Sequence, residues 1–251
     1  MIIPARNAGR VLPATLRALG RADVVVVDNG STDDTAAVAL AHGARVVSEP
    51  RPNRGRARNA GVRSTDAPLI AFLDADCVPD PGWLEALTGC LRDHPLAGGR
   101  VVVEGGGFDA AWRLRQETTI REEGWSGAGN LGIRRELFER LGGFDERFVH
   151  AAEDVDLCLR AGAIAYCPDA VVRHPAATSV RAIVARGFRH GYGSTQLGTR
   201  RDWRHPKPAL LGDWALRRFG LEDRRDLLWR ARADYAGRVA GSLWAELRRA
   251  R

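Results

Sequence analysis

Short apolar runs that end in acidic or turn-forming residues are the feature that most constrains the fold of this chain. Residues 24–27 read VVVV and precede DNGSTDDT, and residues 69–73 read LIAFL and precede DAD. Continuous apolar runs of this length are typical of strands buried on both faces of a parallel sheet. A short strand at 44–49 and a helix at 56–64 complete the alternation. The pattern predicts right-handed βαβ units, and therefore an α/β fold with a mostly parallel, Rossmann-like sheet flanked by helices.

The second half of the chain predicts further helices and strands. An amphipathic helix is expected from Trp83 to about Arg92, followed by a glycine-bounded strand at 97–107. A glycine-rich loop then precedes a helix that opens at Arg134. A helix over 151–162, which ends at a glycine, and a strand over 165–174 follow.

The composition changes near the C-terminus. We expect one catalytic domain over residues 1–200 and an extension over 201–251 that is rich in arginine and tryptophan. Within the extension, leucines and tryptophans alternate with arginines over 221–249, which predicts a helix. Two interpretations stay open: the helix packs on the core, or it forms a basic amphipathic surface that contacts anionic lipid.

The net charge of +7 comes almost wholly from arginine, since Lys207 is the only lysine. Clustered arginines favour polyanionic partners, but a codon bias toward arginine gives the same composition.

The four cysteines lack CxxC spacing and have apolar neighbours, so we expect reduced, buried thiols and neither disulfides nor zinc. Without a run of about 18 apolar residues, the chain is expected to be cytoplasmic, or attached to the inner face of the membrane.

Acidic residues lie at the ends of two predicted strands. Asp28 follows the first run, and Asp74 and Asp76 follow LIAFL. Open α/β sheets bind their ligands just beyond the carboxyl ends of the strands. Two carboxylates separated by one residue suit Mg²⁺ or Mn²⁺, whose charge relieves their mutual repulsion and which keeps positions for phosphate oxygens. The sequence therefore indicates a site for a divalent cation and a diphosphate.

Several motifs in one order and spacing resemble the family 2 glycosyltransferases of GT-A fold. They are IIPARN (2–7), VVDNGSTDDT (26–35), GRARNAG (55–61), FLDADC (72–77), GAGNLGIRRELFERLGGFDE (127–146) and EDVDLCLR (153–160). The similarity covers roughly residues 2–190. It implies a GT-A fold and a metal-dependent, inverting transfer of a sugar from a nucleotide-diphosphate sugar.

The resemblance implies a nucleotide-binding role for residues early in the chain. Pro4, Ala5 and Asn7 would lie against the nucleotide, and Asp28 would accept a hydrogen bond from the base. A helix N-cap is the alternative for Asp28, although Ser31 or Thr32 could serve there instead.

By the same resemblance, the next motifs would hold the diphosphate and the metal. Arg54 and Arg58 would face the nucleotide or its diphosphate, with a solvated helix face as the alternative. Asp74 would contact the ribose or the metal, and Asp76 would bind the metal directly. His174 would add a metal or diphosphate contact, with a structural histidine as the alternative.

The later motifs would hold the acceptor. Asp154 matches the position of the general base, and Glu153 would support it from the acceptor side. The alternative is that these acidic side chains only stabilise the N-terminus of the helix through its dipole. The stretch from residue 127 to Asn130, including Gly129, would shape the sugar and acceptor pocket together with Asp156.

The predicted function is the transfer of one sugar per encounter to a hydroxyl of a saccharide, a lipid-linked or a small-molecule acceptor, with no nucleic-acid partner. No QxxRW pattern is present, unlike in the processive synthases of the family. The family's first strand usually starts several residues before IIP, so this strand is expected to be clipped and its edge less stable. A nucleotidyltransferase of similar architecture and a non-enzymatic nucleic-acid binder are the alternatives.

Overall fold

The structure is a computed structural model that describes residues 1–104, 116–175, 179–198, 236–245 and 248. The helices and strands follow in chain order. They are β1 (Ile2–Ala5), α1 (Leu12–Leu19), β2 (Val25–Asp28), α2 (Thr35–Ala41), β3 (Arg45–Ser48), α3 (Arg54–Arg63), β4 (Leu69–Leu73), β5 (Val78–Pro79), α4 (Trp83–Asp93), β6 (Leu96–Glu104), α5 (Gln116–Thr118), a π-helical turn (Thr119–Glu123), β7 (Asn130–Arg134), α6 (Arg135–Arg140), α7 (Glu153–Ala161), β8 (Ala165–Pro175) and α8 (Val180–Gly198).

The strands of the described part form a mixed sheet in the order β3-β2-β1-β4-β7-β6-β8-β5. β1, β2, β3 and β4 pair in parallel, which confirms the predicted βαβ half of the sheet. β7 runs antiparallel to both β4 and β6, and β5 runs antiparallel to β8. The three parallel pairs, β1 with β2, β2 with β3 and β1 with β4, thus all lie in the N-terminal half of the chain.

The central strands are buried on both faces, as their unbroken apolar runs predict. In β4, Ile70 and Phe72 belong to one hydrophobic cluster, while Ala71 and Leu73 belong to another. This alternation follows from the two-residue repeat of a strand. One cluster includes Leu87 of α4, and the other includes Ala57 of α3.

Most predicted elements are confirmed with small shifts of their ends, but two features differ. Residues 130–134 form the strand β7 instead of a loop before the helix, and that helix begins at Arg135. Cys90 of α4 and Cys167 of β8 form a disulfide, so the prediction of reduced thiols was wrong for this pair. A separation of 77 residues carries no local signal, because only the packing of α4 beside β8 brings the two sulfur atoms together.

The chain divides into two compact units. The larger comprises Met1–Val102, Gln116–Val149 and Glu153–Pro175, and holds nearly all of the sheet. The second comprises Val103–Arg115, His150–Ala152 and Ala176–Arg251, much of which lies outside the described residues. The predicted boundary at residues 200 and 201 and most of the helix predicted over 221–249 also lie outside them.

Within the second unit, residues 236–245 are helical and pack closely on α8. A Cβ atom at Gly241 would lie 2.0 Å from the Phe188 carbonyl oxygen, and one at Gly191 would lie 2.0 Å from that of Arg238. Glycine is therefore required for this backbone contact. The same short helix exposes Leu243 and Trp244. Among the described residues, no helix combines the length and apolar character needed to cross a membrane.

Candidate active site

The loops after β1 and β2 are joined through short polar side chains. Asn7 has a left-handed backbone (φ 51°), and its N–H donates to Ser31 Oγ over 3.0 Å. Asn7 Oδ1 accepts from the Thr32 N–H at 2.8 Å. Asp28 Oδ1 accepts from the Ser31 N–H at 3.1 Å, whereas the helix α2 begins only at Thr35. Asp28 therefore braces the loop and does not cap the helix.

Both loops follow the carboxyl ends of neighbouring parallel strands. Pro4 lies opposite Val27, and Ala5 lies opposite Asp28. The residues predicted to contact the nucleotide are therefore brought together at one edge of the sheet, where open α/β sheets bind their ligands.

The two aspartates after β4 lie on a tight turn that is fixed from two sides. The Cys77 N–H donates to the Asp74 carbonyl oxygen at 3.0 Å and closes the turn. The buried Thr15 hydroxyl of α1 donates to the Ala75 carbonyl oxygen at 2.9 Å. The backbone carrying both carboxylates is thus held by the parallel half of the sheet and its first helix.

Arg58 of α3 connects this turn to the acidic helix α7. Its Nη1 donates to Glu153 Oε1 at 2.7 Å, and its Nη2 donates to Asp74 Oδ1 at 3.0 Å. The Arg58 and Glu153 side chains are only 2% and 4% exposed, respectively. Arg58 Nε is buried and has no hydrogen-bond partner within the described ranges. Both Nη groups of Arg58 thus donate to carboxylates of the protein. The prediction from the sequence was a contact of Arg58 with the nucleotide or its diphosphate.

The charges of Arg58, Asp74 and Glu153 stabilise one another. Burial lowers the pKa of the Arg58 guanidinium, but the nearby Asp74 and Glu153 carboxylates outweigh it, so its pKa lies above the ordinary value. Burial raises the pKa of Asp74, yet the guanidinium charges of Arg58 and Arg54 and the nearby His174 bring it below the ordinary range. Asp74 is therefore held as a carboxylate, and the exposed Arg54 lies near enough to act on it.

Gly129 lies directly against the first aspartate of the turn. A Cβ atom at this position would lie 2.7 Å from Asp74 Oδ2, closer than real Cβ contacts occur. The absence of a side chain at Gly129 therefore lets the segment before β7 approach Asp74. This explains on steric grounds why the predicted pocket residue is a glycine.

Asp154 is held by the same segment from the other side. Its Oδ2 accepts from the Ala128 N–H at 3.1 Å, and its Oδ1 accepts from the Val155 N–H at 2.9 Å. Burial and the neighbouring Glu153 charge raise the pKa of Asp154 to about 6, although Arg58 and the two backbone donors oppose the rise. A carboxyl group with a pKa near neutrality suits a general base.

Asp76, Cys77 and His174 form a cluster with ligand atoms of three kinds. One carboxylate oxygen, the Sγ atom and one ring nitrogen all lie within 4.8 Å of one another, and His174 Nε2 is 3.6 Å from Asp76 Oδ2. β5 brings them together, because Val78, which follows Cys77, pairs with Arg173, which precedes His174. Carboxylate and imidazole donors fit Mn²⁺ and related divalent cations.

The side chains of two residues that were predicted to line the sugar and acceptor pocket are buried in the structure. The Asn130 side chain is fully buried, accepts from Trp83 Nε1 at 2.8 Å and donates to the carbonyl oxygens of Arg100 and Ala170. Asp156 is 4% exposed and accepts from Arg160 Nε at 2.7 Å. Their hydrogen bonds are thus made within the fold.

Two features of the site were not predicted from the sequence. The place of Cys77 beside Asp76 and His174 depends on the antiparallel pairing of β5 with β8, which leaves no trace in either segment alone. The hydrogen bond from the Ala128 N–H to Asp154 was not predicted either. The glycines on both sides of Ala128 were the available signal for a close backbone approach.

The α/β fold, the loops at the carboxyl ends of its parallel strands and the acidic residues that converge there define the nucleotide-binding class of GT-A proteins. Glycosyl transferase family 2 matches residues 1–148. The chain therefore belongs to glycosyl transferase family 2 and is a glycosyltransferase, which decides against the two alternative functions.

Relatives with assigned names agree with this conclusion. An uncharacterized glycosyltransferase of Mycobacterium tuberculosis is 38% identical over 175 residues, which cover 65% of this chain and 78% of the relative. The pre-mycofactocin glycosyltransferase of Mycobacterium tuberculosis is 33% identical over 225 residues, which cover 80% of this chain but only 47% of the relative.

Solved structures share the fold. The glucosyl-3-phosphoglycerate synthase from Mycobacterium tuberculosis, in complex with Mn²⁺, uridine-diphosphate-glucose and phosphoglyceric acid, has a TM-score of 0.60 at 24% identity. The match covers 82% of this chain and 80% of that structure. It supports the GT-A architecture predicted from the sequence.

Proposed function

We propose that this protein is a metal-dependent, inverting glycosyltransferase that moves one sugar from a nucleotide-diphosphate sugar to an acceptor hydroxyl. The observation that carries the proposal is the convergence of two acidic motifs distant in sequence. Arg58 bridges Asp74 and Glu153, while the segment around Gly129 contacts Asp74 and holds Asp154. A donor-side group and an acceptor-side group therefore belong to one site.

The donor end of the site is assigned to the loops of the parallel strands. Pro4, Ala5 and Asn7 form the surface against the nucleotide, and Asp28 is the acceptor for a base N–H. The position of Asp28 opposite Ala5, at the carboxyl end of β2, supports this role. The exposed Arg54, whose charge already acts on Asp74, is suited to pair with the diphosphate.

A divalent cation is assigned to Asp76 and His174, with Asp74 beside them. The bound cation would supply charge neutralisation for the departing nucleoside diphosphate. The related synthase structure was solved with Mn²⁺ and uridine-diphosphate-glucose, which supports a cation of this type and a nucleotide-sugar donor. Asp76 and His174 contribute one oxygen and one nitrogen donor that already lie 3.6 Å apart.

Asp154 is assigned as the general base and Glu153 as its neighbour on the acceptor side. The Asp154 carboxylate would take the proton from the acceptor hydroxyl while the hydroxyl oxygen attacks the anomeric carbon. Direct attack on the side opposite the leaving diphosphate inverts the configuration at that carbon. The buried ion pair of Glu153 with Arg58 supports a positioning role for Glu153.

The donor can be identified by thermal stabilisation. UDP-, GDP- and dTDP-sugars are added with and without Mn²⁺, and the melting temperature is measured. One nucleotide class is expected to raise it only when the metal is present. Turnover with that donor should release the nucleoside diphosphate, whereas release of pyrophosphate would overturn glycosyl transfer.

Two substitutions separate the metal site from the base. Asp76→Asn should abolish the metal-dependent nucleotide stabilisation, and Asp154→Asn should abolish transfer while donor stabilisation is retained. Asp93→Asn, at an exposed carboxyl group that ends α4, is the matched control and should leave both unchanged. Transfer that persists in Asp154→Asn would refute the assigned base.

Peripheral membrane contact through the C-terminal extension stays a prediction.

A further inference from the structure

Cys77 follows the second aspartate of the acidic turn and its sulfur atom lies within the cluster around that aspartate. The Asp76 oxygen, the Cys77 Sγ and the His174 nitrogen all lie within 4.8 Å of one another. Ligands about 2.0–2.3 Å from one tetrahedral ion are roughly 3.3–3.8 Å apart. His174 Nε2 and Asp76 Oδ2 already have this spacing at 3.6 Å, and an atom 4.8 Å away would have to move closer by about 1 Å. The three side chains therefore need only small adjustments to bind a single ion.

The fold holds the sulfur atom in this place from two directions. The Cys77 N–H is bonded to the Asp74 carbonyl oxygen at 3.0 Å, which fixes the turn. The residue next to it, Val78, pairs with Arg173, the neighbour of His174. The thiol and the imidazole are thus brought together by strand register and do not depend on a mobile surface loop.

Burial differs across the three ligands. Cys77 is 2% exposed, while the side chains of His174 and Asp76 are 23% and 42% exposed. The sulfur atom thus lies deepest and the carboxylate nearest to solvent. An ion bound among them would meet protein on the sulfur side and keep its open positions toward solvent, where phosphate oxygens could bind.

We propose that Cys77 is the third protein ligand of the divalent cation, which makes this a mixed nitrogen, oxygen and sulfur site. Sulfur is a soft donor that suits Zn²⁺ and Co²⁺ and that Mg²⁺ avoids, so the site prefers the transition metals. The thiol binds as the thiolate and releases its proton to solvent. The inference rests on the proposed function, because Asp76 and His174 are the ligands assigned there.

Cobalt spectroscopy tests the sulfur bond directly. Co²⁺ is titrated into the protein without thiol reductant, and absorption is recorded in the near-ultraviolet, where thiolate-to-cobalt charge transfer appears. The band is expected in the unaltered protein and in Cys158→Ser, and is expected to be lost in Cys77→Ser. Cys158 is the matched control, since it is also a buried thiol outside the disulfide. A band that persists in Cys77→Ser would overturn the proposal.

Affinity measurements provide the second readout. In competition with a chromophoric chelator, Cys77→Ser should bind Zn²⁺ at least about tenfold more weakly, while its Mg²⁺ affinity changes little. Equal Zn²⁺ affinities would overturn the sulfur ligand. Cadmium NMR of the unaltered protein guards against a variant that fails to fold, because a sulfur ligand moves the resonance strongly downfield. A resonance in the range of oxygen and nitrogen ligands alone would also refute the proposal.

Asp76→Asn separates this inference from the proposed function. If Asp76→Asn loses metal-dependent nucleotide stabilisation while Cys77→Ser has unaltered spectra and affinities, the inference about Cys77 fails and the proposed function stands. If Asp76→Asn and Cys77→Ser both bind metal and nucleotide like the unaltered protein, the assigned metal site fails as well.

Discussion

Arg58 Nη1 donates a hydrogen bond of 2.7 Å to Glu153 Oε1, although 95 residues separate the two in sequence. The other Nη group of Arg58 binds Asp74 at 3.0 Å, so one buried guanidinium joins the two acidic motifs of the site. Both carboxylates would repel each other without it. Arg58 thus links the acidic helix directly to the acidic turn, in addition to the segment around Gly129 that lies between Asp74 and Asp154.

Replacing Arg58 with methionine should lower the free energy of unfolding by about 3–5 kcal/mol, because the buried Glu153 carboxylate loses its countercharge. Denaturant unfolding measures the loss. Arg140→Met is the control, since its ion pair with Glu136 is largely exposed and its loss should cost less than about 1 kcal/mol. A cost for Arg58→Met no larger than that of the control would contradict the buried bridge.

The pH dependence of transfer should report the ionisation of Asp154. Its pKa of about 6 means that the base is protonated below that pH and ionised above it. The value of kcat/KM, which reports groups of the free enzyme, should therefore rise as pH increases through about 6. Steady-state rates between acidic and neutral pH measure this. A profile that stays flat across this range would exclude Asp154 as the base.

Stability should depend on the same group. The pKa of Asp154 is about 6 in the folded state, compared with the ordinary value of 3.8. The stability that the protonated carboxyl group provides is therefore fully present below pH 3.8 and is lost as pH rises through about 6. Above that pH, ionised Asp154 destabilises the folded state. The rise corresponds to at most about 3 kcal/mol. Asp154→Asn removes this penalty but also one acceptor of a backbone hydrogen bond, which costs about 1 kcal/mol.

The net expectation is that Asp154→Asn is more stable than the unaltered protein by about 1–2 kcal/mol at neutral pH, with the gain absent at pH below 3.8. Unfolding curves for both proteins over the pH range measure this difference. A gain of the same size at every pH would show that the ionisation of Asp154 is not its cause.

Gly129→Ala should impair the site through Asp74. The added Cβ would lie 2.7 Å from Asp74 Oδ2, so the carboxylate or the segment before β7 must move. We expect at least a tenfold loss in metal-dependent nucleotide affinity, as is common when a supporting contact of a metal site is removed. Calorimetric titration with nucleotide and Mn²⁺ measures it.

Gly89→Ala in α4 is the matched control for Gly129→Ala. A Cβ atom at Gly89 would meet nothing within 4 Å, and alanine is the better helix former by about 0.5–1 kcal/mol. It should bind nucleotide as the unaltered protein does and be slightly more stable. Equal nucleotide affinities for the two variants would show that Asp74 tolerates a side chain at position 129.

Much of the parallel half of the fold was predictable from the sequence because its signals are local. Val25, Val26 and Val27 lie in a buried strand, and their apolar character is visible without knowledge of any partner. The strand β7 was missed because it is short and contains Gly132. It forms a strand only because β4 and β6 pair with it on either side.

The sequence by itself determined the βαβ order, the acidic turn after β4 and the family, because each depends on residues that are close in the chain. The tertiary structure decided the directions of the side chains. It turned Asn130 and Asp156 into the fold, placed Arg58 between two carboxylates, joined Cys90 to Cys167 and brought Cys77 beside His174. These outcomes depend on pairing and packing between segments far apart in sequence, and such contacts leave no pattern within either segment alone.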